Sequence, residues 1–296
     1  MSLKQVKTNF NANFVDNFDF FLFDADGVLW LGDKALPGAV DFLELLIKKG
    51  KNIFIMSNNS TKTIKENINK LHKLGFLMVL EDHVISPAKV LAHILSKTPS
   101  DLPVYLIGSE GLQKELLNKG IKSFGVGPDM VEKYTDDNFI YDIDTSQPVR
   151  AVVVSYDIHI NYVKIMKAVN FIHHHKVDFI ATNEDSTLPG PIKAGVNVKA
   201  VEKASGKQPI VIGKPYIPMF QYISEKYSVD ANRSVMFGDR CDTDIKFGRN
   251  AGTKTVLVGT GVHNLEDVRE ILSQNLLDQV PDYFCASLDS LSKSLV

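Results

Sequence analysis

Cysteine is scarce in this 296-residue sequence, long apolar runs are missing from it, and neither sign of charge dominates. The two cysteines, Cys241 and Cys285, are too few for a disulfide framework, which favours a reducing compartment. Apolar runs such as Phe20 to Phe23 fall far short of the about 18 residues that cross a bilayer. The first residues alternate polar and apolar side chains and build no secretory signal. We therefore expect a cytoplasmic protein without a membrane partner.

Lysine plus arginine number 33 against 35 for aspartate plus glutamate, and the formal net charge is −2. This balance gives no overall positive field to attract phosphate backbones, so we expect no nucleic-acid partner. Hydrophobic residues make up 44% of the chain and charged residues 23%, which is ordinary for a globular protein. The length leaves room for one large or two moderate domains.

Short apolar runs alternate with helical periodicity along the chain, which predicts parallel strands joined by helices. A polar break at residues 98–101 separates the first such series from a second one. After Gly206 the runs at 210–212, 234–237 and 255–258 predict three more strands of the first domain. We predict an α/β fold with a Rossmann-like, doubly wound parallel-sheet core, residues 1–100 and 207–296, and an inserted α/β cap, residues 101–206.

Two acids close the first predicted strand. Asp24 and Asp26 are two positions apart, so their side chains lie on the same side at the carboxyl end of the strand, where open α/β sheets bind ligands. Two bare carboxylates in a small space repel, whereas a divalent cation allows one to stay ionised as a ligand or nucleophile while the other acts as an acid. A solvated turn is the alternative, because Asp and Gly27 are common turn residues.

Polar residues also follow two other predicted strands. Ser57, Asn58 and Asn59 come after the run at 52–56, where a hydroxyl, amides and helix N–H groups bind an anion or simply cap the helix. Lys214 follows the run at 210–212 and adds a point cation to the same sheet edge, although a lone lysine is usually solvated.

Asp239 and Asp244 follow the run at 234–237 and bring further acids to this edge. Four separate strands thus end in polar residues of the kinds that bind a metal and a phosphate together. The combination predicts a site at the edge of the sheet more strongly than any of the four motifs alone.

At these places the sequence resembles the haloacid dehalogenase-like hydrolases, whose four motifs have the form Asp-x-Asp-Gly-Val, Ser-Asn-Asn, Gly-Lys-Pro and Gly-Asp-x-x-x-Thr-Asp-Ile. The residues around these motifs are similar to those of the family branch that contains 4-nitrophenyl phosphatase, phosphoglycolate phosphatase and pyridoxal phosphate phosphatase (chronophin). Only 33 positions separate Asp24 from Ser57, enough for a helix and a strand, whereas 157 separate Ser57 from Lys214. The second gap leaves room for a cap, as in family members with the cap between the second and third motifs.

The resemblance implies a Mg²⁺-dependent phosphatase. Asp24 would be the nucleophile that forms an aspartyl-phosphate, and Asp26 the general acid that protonates the leaving alcohol and then activates water. The resemblance assigns Mg²⁺ to the carboxylates of Asp24 and Asp239 and to the backbone carbonyl of Asp26.

The same resemblance implies that Ser57, Asn58, Asn59 and Lys214 bind the phosphoryl group, and that Asp244 orients Lys214 or the waters of the metal. The expected partner is a small phosphate ester such as 2-phosphoglycolate or pyridoxal phosphate, with 4-nitrophenyl phosphate as an artificial substrate. Relatives of this kind often dimerise through the cap, so a homodimer through that domain is also an expectation.

Two cap segments follow predicted strands, and we expect them to set substrate choice: Tyr156 to His159 and Asn183 to Pro189. A plain connecting turn is the alternative for the second. Three adjacent histidines, His173 to His175, point in different directions from a helix and predict a solvated helix end rather than a metal site.

A signalling receiver also places acids, a hydroxyl and a lysine at a sheet edge, but it is a single compact domain, which the 157-position gap disfavours. Dehalogenase chemistry is disfavoured because the resemblance implies an acid at Asp26 only in phosphatases and phosphomutases. A catalytically inactive binding protein on the same fold is the third alternative, and the presence of every motif residue gives it no support.

Overall fold

A computed structural model describes residues 6–11, 13–129, 143–185 and 194–294 of the chain. The chain forms two compact units. The first comprises Met1–Ser57, Lys65–Ile85 and Lys214–Val296, and the second comprises Asn58–Ile64 and Ser86–Gly213. The division into a hydrolase core and a cap bounded at residues 101 and 206 stays a prediction.

Strands and helices alternate along the described residues. In chain order the strands are β1 (Phe20–Phe23), β2 (Trp30–Leu31), β3 (Lys34–Ala35), β4 (Asn52–Met56), β5 (Val84–Ile85), β6 (Val104–Ile107), β7 (Ser123–Phe124), β8 (Ala151–Val154), β9 (Asp178–Ala181), β10 (Ile210–Val211), β11 (Ser234–Gly238), β12 (Lys254–Val258) and β13 (Tyr283–Cys285). The helices are α1 (Ala39–Lys48), α2 (Ile64–Lys73), α3 (Pro87–Ser96), α4 (Glu110–Leu117), α5 (Tyr162–His174), α6 (Ala194–Ser205), α7 (Pro218–Tyr227), α8 (Lys246–Ala251), α9 (Leu265–Ser273) and α10 (Leu288–Ser294). None of these helices has the length and apolar character needed to cross a bilayer.

The first unit is built on a parallel sheet with the strand order β13-β12-β11-β1-β4-β5. Its interior strand β1 pairs with β11 on one side and β4 on the other, and Phe21, Leu22 and Phe23 are fully buried. Because all these strands run the same way, their carboxyl ends meet at one edge. Three of the predicted strand ends, those before Asp24, Ser57 and Asp239, therefore share that edge.

Amphipathic helices accompany this sheet where the periodicity predicts them. In α2 the apolar positions Ile64, Ile68 and Leu71 are buried, as the spacing of four and seven residues requires. Helix α1 ends shortly before Gly50, whose φ of +69° gives the left-handed turn that a glycine tolerates beyond a helix end.

The second unit has its own parallel sheet, with the strand order β10-β9-β8-β6-β7. A fold with two parallel sheets and flanking helices confirms the predicted α/β class. One strand was assigned wrongly from the sequence: β10 does not join the first unit's sheet but pairs with β9, Ile210 opposite Ile180. An edge strand of two residues carries too little pattern to reveal which sheet it joins, and Ile210 is exposed.

Helix α5 of the second unit buries a face that only partly matches its helical periodicity. Of the apolar residues at helical spacing, Ile172 is buried as that spacing predicts, whereas Tyr162 is 59% exposed, and Val163, Ala168 and Phe171 are buried in addition. Lys164 is buried as well. The Asn161 side chain accepts a hydrogen bond from the Lys164 backbone and fixes where the helix begins, so the inner face is set by tertiary contacts as well as by hydrophobicity.

Candidate active site

Asp24 directly follows β1, the strand at the middle of the first unit's sheet. Its backbone N–H donates to the Phe237 carbonyl of β11 at 2.8 Å, which continues the strand pairing up to the acid. The side chain is 14% exposed, so it is largely withdrawn from water yet accessible. The strand end thus holds a carboxylate at a fixed place on the edge of the sheet.

Lys214 lies against this carboxylate and is almost completely buried. Its ammonium group donates to Asp24 Oδ1 at 2.5 Å and to Asp244 Oδ1 at 2.7 Å. Burial opposes the charge of the lysine, but the attraction of the two carboxylates outweighs it and raises the Lys214 pKa. The lysine is therefore a permanently charged bridge between two acids.

Asp239 and Asp244 complete the group. Asp239 follows the end of β11, and Asp244 lies in the π-helical turn Cys241–Ile245, which begins two residues later. Asp244 Oδ2 accepts a hydrogen bond from the backbone N–H of Arg240 at 3.1 Å, so the turn folds back on itself. One carboxylate oxygen from each of Asp24, Asp239 and Asp244 lies within 4.8 Å of the others.

Negative charge exceeds positive charge in this cluster. Three carboxylates face the single ammonium of Lys214, and the nearby Arg240 is itself paired with Asp242 at 2.7 Å. Burial raises the pKa of Asp24 well above its usual range, the neighbouring acids add to this, and Lys214 opposes it. Burial and the charge of Asp244 raise the pKa of Asp239 to about 7. Among the described residues, the carboxylates of this cluster therefore outnumber the ammonium group that bridges two of them.

The donor set tests which cation would fit. All three side chains offer oxygen, and neither His nor Cys belongs to the group. Oxygen-only ligation suits Mg²⁺ and other hard cations, whereas Zn²⁺ and copper sites in proteins usually include nitrogen or sulfur. The residues present therefore fit magnesium. Asp244 joins Asp24 and Asp239 in the group, although the sequence predicts for it only an orienting role.

A loop after β12, which is not among the predicted site segments, holds Asp239 in place. The Val262 backbone N–H donates to Asp239 Oδ2 at 2.9 Å, and the Thr260 hydroxyl donates to the Gly27 carbonyl at 2.6 Å. A Cβ on Gly261 would overlap the Asp239 carboxylate, and one on Gly27, with φ of +90°, would lie 2.5 Å from it. The sequence does carry a signal for this loop, because its Gly-Thr-Gly segment follows a predicted strand of the same sheet, as the other site residues of this sheet do.

Asp26 stands apart from the three-acid group. Its Oδ1 accepts a hydrogen bond from the indole Nε1 of Trp30 at 2.7 Å and lies 3.9 Å from the ammonium of Lys70. Neither Trp30 nor Lys70 is among the catalytic, metal or phosphate-binding residues predicted from the sequence. The predicted contribution of the Asp26 carbonyl to metal binding stays a prediction.

Three of the residues predicted to bind phosphate make hydrogen bonds with nearby protein groups. Ser57 belongs to the first unit, and its backbone N–H donates to the Ile85 carbonyl at 3.0 Å. The Asn59 side chain accepts from the backbone and hydroxyl of Thr61, at 2.9 and 2.7 Å, in an Asx turn. The Asn58 amide donates to the Asp185 carboxylate at 3.2 Å within the second unit. The predicted contacts of these side chains with phosphate stay predictions.

Comparison with known proteins places this arrangement in a family. The family model described as haloacid dehalogenase-like hydrolase matches residues 21–122, and a second, described as HAD-hydrolase-like, matches residues 211–291. Glycerol-3-phosphate phosphatase of Rattus norvegicus is 37% identical over 94% of this chain and 91% of its own length. The chain belongs to the haloacid dehalogenase-like hydrolases.

Other relatives agree with this assignment. Phosphoglycolate phosphatase 2 of Arabidopsis thaliana is 36% identical over 97% of this chain and 96% of its own length. A NipSnap-named protein of Caenorhabditis elegans is 44% identical over 85% of the chain, which spans about half, 49%, of that longer protein. Among solved structures, 4-nitrophenylphosphatase of Thermotoga maritima superposes with a TM-score of 0.78 at 29% identity, covering 95% of this chain and 99% of its own.

The predicted resemblance is thereby confirmed, and with it the fold of this haloacid dehalogenase-like hydrolase. Two residues of the histidine run make separate contacts in the second unit. The rings of His173 and His175 contact two different carbonyls, those of Ser205 at 2.9 Å and Thr145 at 3.2 Å. Cys241 is buried, and burial raises the pKa of its thiol to about 12, which favours the protonated thiol at neutral pH. Of the two cap segments, the second lies partly outside the described residues, which stop at 185 and resume at 194.

Proposed function

We propose that this chain is a Mg²⁺-dependent phosphatase that hydrolyses small phosphorylated metabolites through an aspartyl-phosphate on Asp24. The coarser class, a phosphoric monoester hydrolase of the haloacid dehalogenase-like family, follows from its matches to the family and its phosphatase relatives. The observation that carries the proposal is the pairing of a strand-end Asp24 with buried Lys214 inside a cluster of three acids.

In the first step an Asp24 carboxylate oxygen attacks phosphorus, forming a new P–O bond while the bond to the leaving alcohol oxygen breaks. Asp26 donates the proton that the alcohol takes away. In the second step Asp26 takes a proton from water, whose oxygen attacks phosphorus and releases phosphate from Asp24. Lys214, held at 2.5 Å from Asp24, fixes the nucleophile and adds positive charge where the phosphoryl oxygens would lie.

Asp24 and Asp239 would hold the magnesium ion, with Asp244 beside them. When bound, the ion supplies charge that lowers the repulsion between the nucleophilic carboxylate and the phosphate dianion. The excess of carboxylates over ammonium groups in the cluster supports this assignment, because a bound cation would offset the repulsion from Asp244 that, after burial, raises the pKa of Asp239.

The names of the relatives support a small phosphate monoester as substrate. They include glycerol-3-phosphate phosphatase and phosphoglycolate phosphatase 2, both aligned over more than nine-tenths of this chain. These two names share a phosphate on a short, polar carbon skeleton. We therefore propose a class of substrate and not a single compound. A phosphatase that turns over such esters is favoured over a receiver-like switch or an inactive binding protein.

Phosphate release from a panel of esters tests the proposal. We expect turnover of 4-nitrophenyl phosphate, glycerol 3-phosphate, 2-phosphoglycolate or pyridoxal phosphate with Mg²⁺, and loss of it after chelation by EDTA. We also expect Ca²⁺ to inhibit, because its looser coordination would misplace Asp24. Hydroxylamine added during turnover should convert Asp24 to a hydroxamate that mass spectrometry detects. Full activity after exhaustive chelation would contradict the metal assignment. Turnover that leaves no hydroxamate on Asp24 would contradict the aspartyl-phosphate intermediate.

A further inference from the structure

Trp30 lies beside the proposed general acid. It follows the turn that begins at Asp26, and its indole Nε1 donates to Asp26 Oδ1 at 2.7 Å. The side chain is 6% exposed, and its ring lies 6.4 Å from that of Phe76. The Trp30 carbonyl accepts from the Gly27 N–H at 2.7 Å, so backbone and side chain are both fixed. Trp30 is therefore a rigid donor to one oxygen of Asp26.

Lys70 reaches the same oxygen from α2. Its ammonium lies 3.9 Å from Asp26 Oδ1 and 4.7 Å from the centre of the Trp30 ring, over the ring face. A cation above an indole ring is attracted to it, so Trp30 also holds Lys70 in place. The three side chains form a closed set in which each contacts the other two.

Both partners are donors without an acceptor atom. The contacts that Trp30 and Lys70 make with Asp26 are both to Oδ1, so this oxygen is held as an acceptor by two donors. We propose that Trp30 and Lys70 are positioning residues for Asp26: they fix the carboxyl group by Oδ1 and reserve Oδ2 for exchanging the proton with the leaving group. This inference rests on the proposed function, because it presumes that Asp26 is the general acid.

The role predicts a dependence on the leaving group. An alkyl phosphate needs its leaving oxygen protonated, whereas 4-nitrophenolate leaves with little help. The variants Trp30→Phe and Lys70→Met should therefore lower kcat/KM for glycerol 3-phosphate more than for 4-nitrophenyl phosphate. We expect the ratio of the two values to fall by about ten-fold for Trp30→Phe, the size expected for losing a hydrogen bond to a charged group, and by less for Lys70→Met. The ratio does not depend on the fraction of folded enzyme.

Lys226→Met is a matched control. Lys226 also lies over an aromatic ring, 4.9 Å from the centre of Tyr227, and pairs with an acid, Asp82, at 3.2 Å. It has no part in the proposed chemistry, so its loss should leave the substrate ratio unchanged.

The Asp26→Asn variant tests the acid role of Asp26 separately from the positioning roles of Trp30 and Lys70. If Trp30 acts through Asp26, adding Trp30→Phe to Asp26→Asn should not lower the ratio further. An Asp26→Asn variant that spares the alkyl phosphate would overturn the acid assignment, and this inference with it. An Asp26→Asn variant that discriminates as expected, beside Trp30→Phe and Lys70→Met with wild-type ratios, would overturn the positioning roles alone.

Discussion

Each unit of this protein buries a lysine, and the two lysines differ in charge balance. Lys164 in the second unit pairs with Asp157 at 2.6 Å, and the two side chains are 0% and 2% exposed. Lys214 in the first unit bridges Asp24 and Asp244, and its surroundings keep a surplus of negative charge. The charges of the first pair match, whereas in the second group the carboxylates outnumber the ammonium, which is the excess that the proposed Mg²⁺ would offset.

The surroundings of Asp157 agree with a structural role. Its second oxygen accepts the His159 N–H at 2.8 Å, and the Asn197 amide donates to the carbonyls of Ser155 and Asp157. Every one of these contacts is made inside the second unit. In this protein the buried lysine whose acids outnumber it lies in the candidate site, and the buried lysine whose charge is matched lies among local structural contacts.

The largest effect should come from removing the proposed nucleophile. Asp24→Asn should lower phosphatase activity by about 10⁴-fold or more, as for other covalent catalysts. Because the pKa of Asp24 is raised, its ionised form costs folding free energy at neutral pH without metal. The same variant should therefore melt at a higher temperature than wild type in EDTA, whereas Asp157→Asn should melt at a lower one. A lower melting temperature for both would refute the contrast in charge balance.

Sequence patterns predicted the parts of this site that depend on strand ends. Asp24 and Asp239 each follow a short apolar run, and in a parallel sheet such runs end at one edge. The prediction that Lys214 lies near Asp24 is correct, but the strand assignment on which it rested is wrong. The strand before it, β10, belongs to the other sheet, and only the structure shows the lysine reaching Asp24.

Other features could not be read from sequence because they depend on contacts between distant residues. Lys164 has an ordinary place in a helical pattern, and nothing near it indicates that its charge would be buried. Lys70 is one of several lysines on α2, yet the turn that follows β1 brings Trp30 against it. Periodicity describes one element at a time, whereas these roles come from how elements pack.

The second prediction concerns the balanced pair. Lys164→Met leaves the Asp157 carboxylate buried without its cation and should cost about 3–5 kcal/mol of unfolding free energy. Replacing both residues, as Lys164→Met with Asp157→Asn, should recover at least half of that loss, because no buried charge then remains. Urea unfolding of the three proteins measures this. A double variant no more stable than Lys164→Met would contradict the assignment of the cost to unpaired charge.

The third prediction concerns the unbalanced group. Mg²⁺ at about 100 times its dissociation constant should stabilise the wild-type protein by about 2.7 kcal/mol, the linkage expected for one site. Asp239→Asn should abolish this gain, and Lys164→Met should keep it despite its lower stability. Thermal melts with and without Mg²⁺ give the answer. Equal metal stabilisation of the wild type and Asp239→Asn would place the ion elsewhere.

The smallest effect should come from the loop after β12. Thr260→Val keeps the shape of the side chain but removes the hydroxyl that donates to Gly27 at 2.6 Å. One hydrogen bond is worth about 1 kcal/mol, so Mg²⁺ affinity measured by calorimetry should fall by up to about ten-fold. The cause is indirect: Gly27 packs against the Asp239 carboxylate, and its displacement would move that ligand.

Val262→Ala supplies the control for this loop. Val262 is 57% exposed and holds Asp239 through its backbone N–H, which alanine retains. Its Mg²⁺ affinity should therefore equal that of the wild type. If Val262→Ala weakened binding as much as Thr260→Val, the loop would act through general packing, and the bond from Thr260 would have no separate part in holding Asp239. A difference between the two variants assigns the effect to that single hydroxyl.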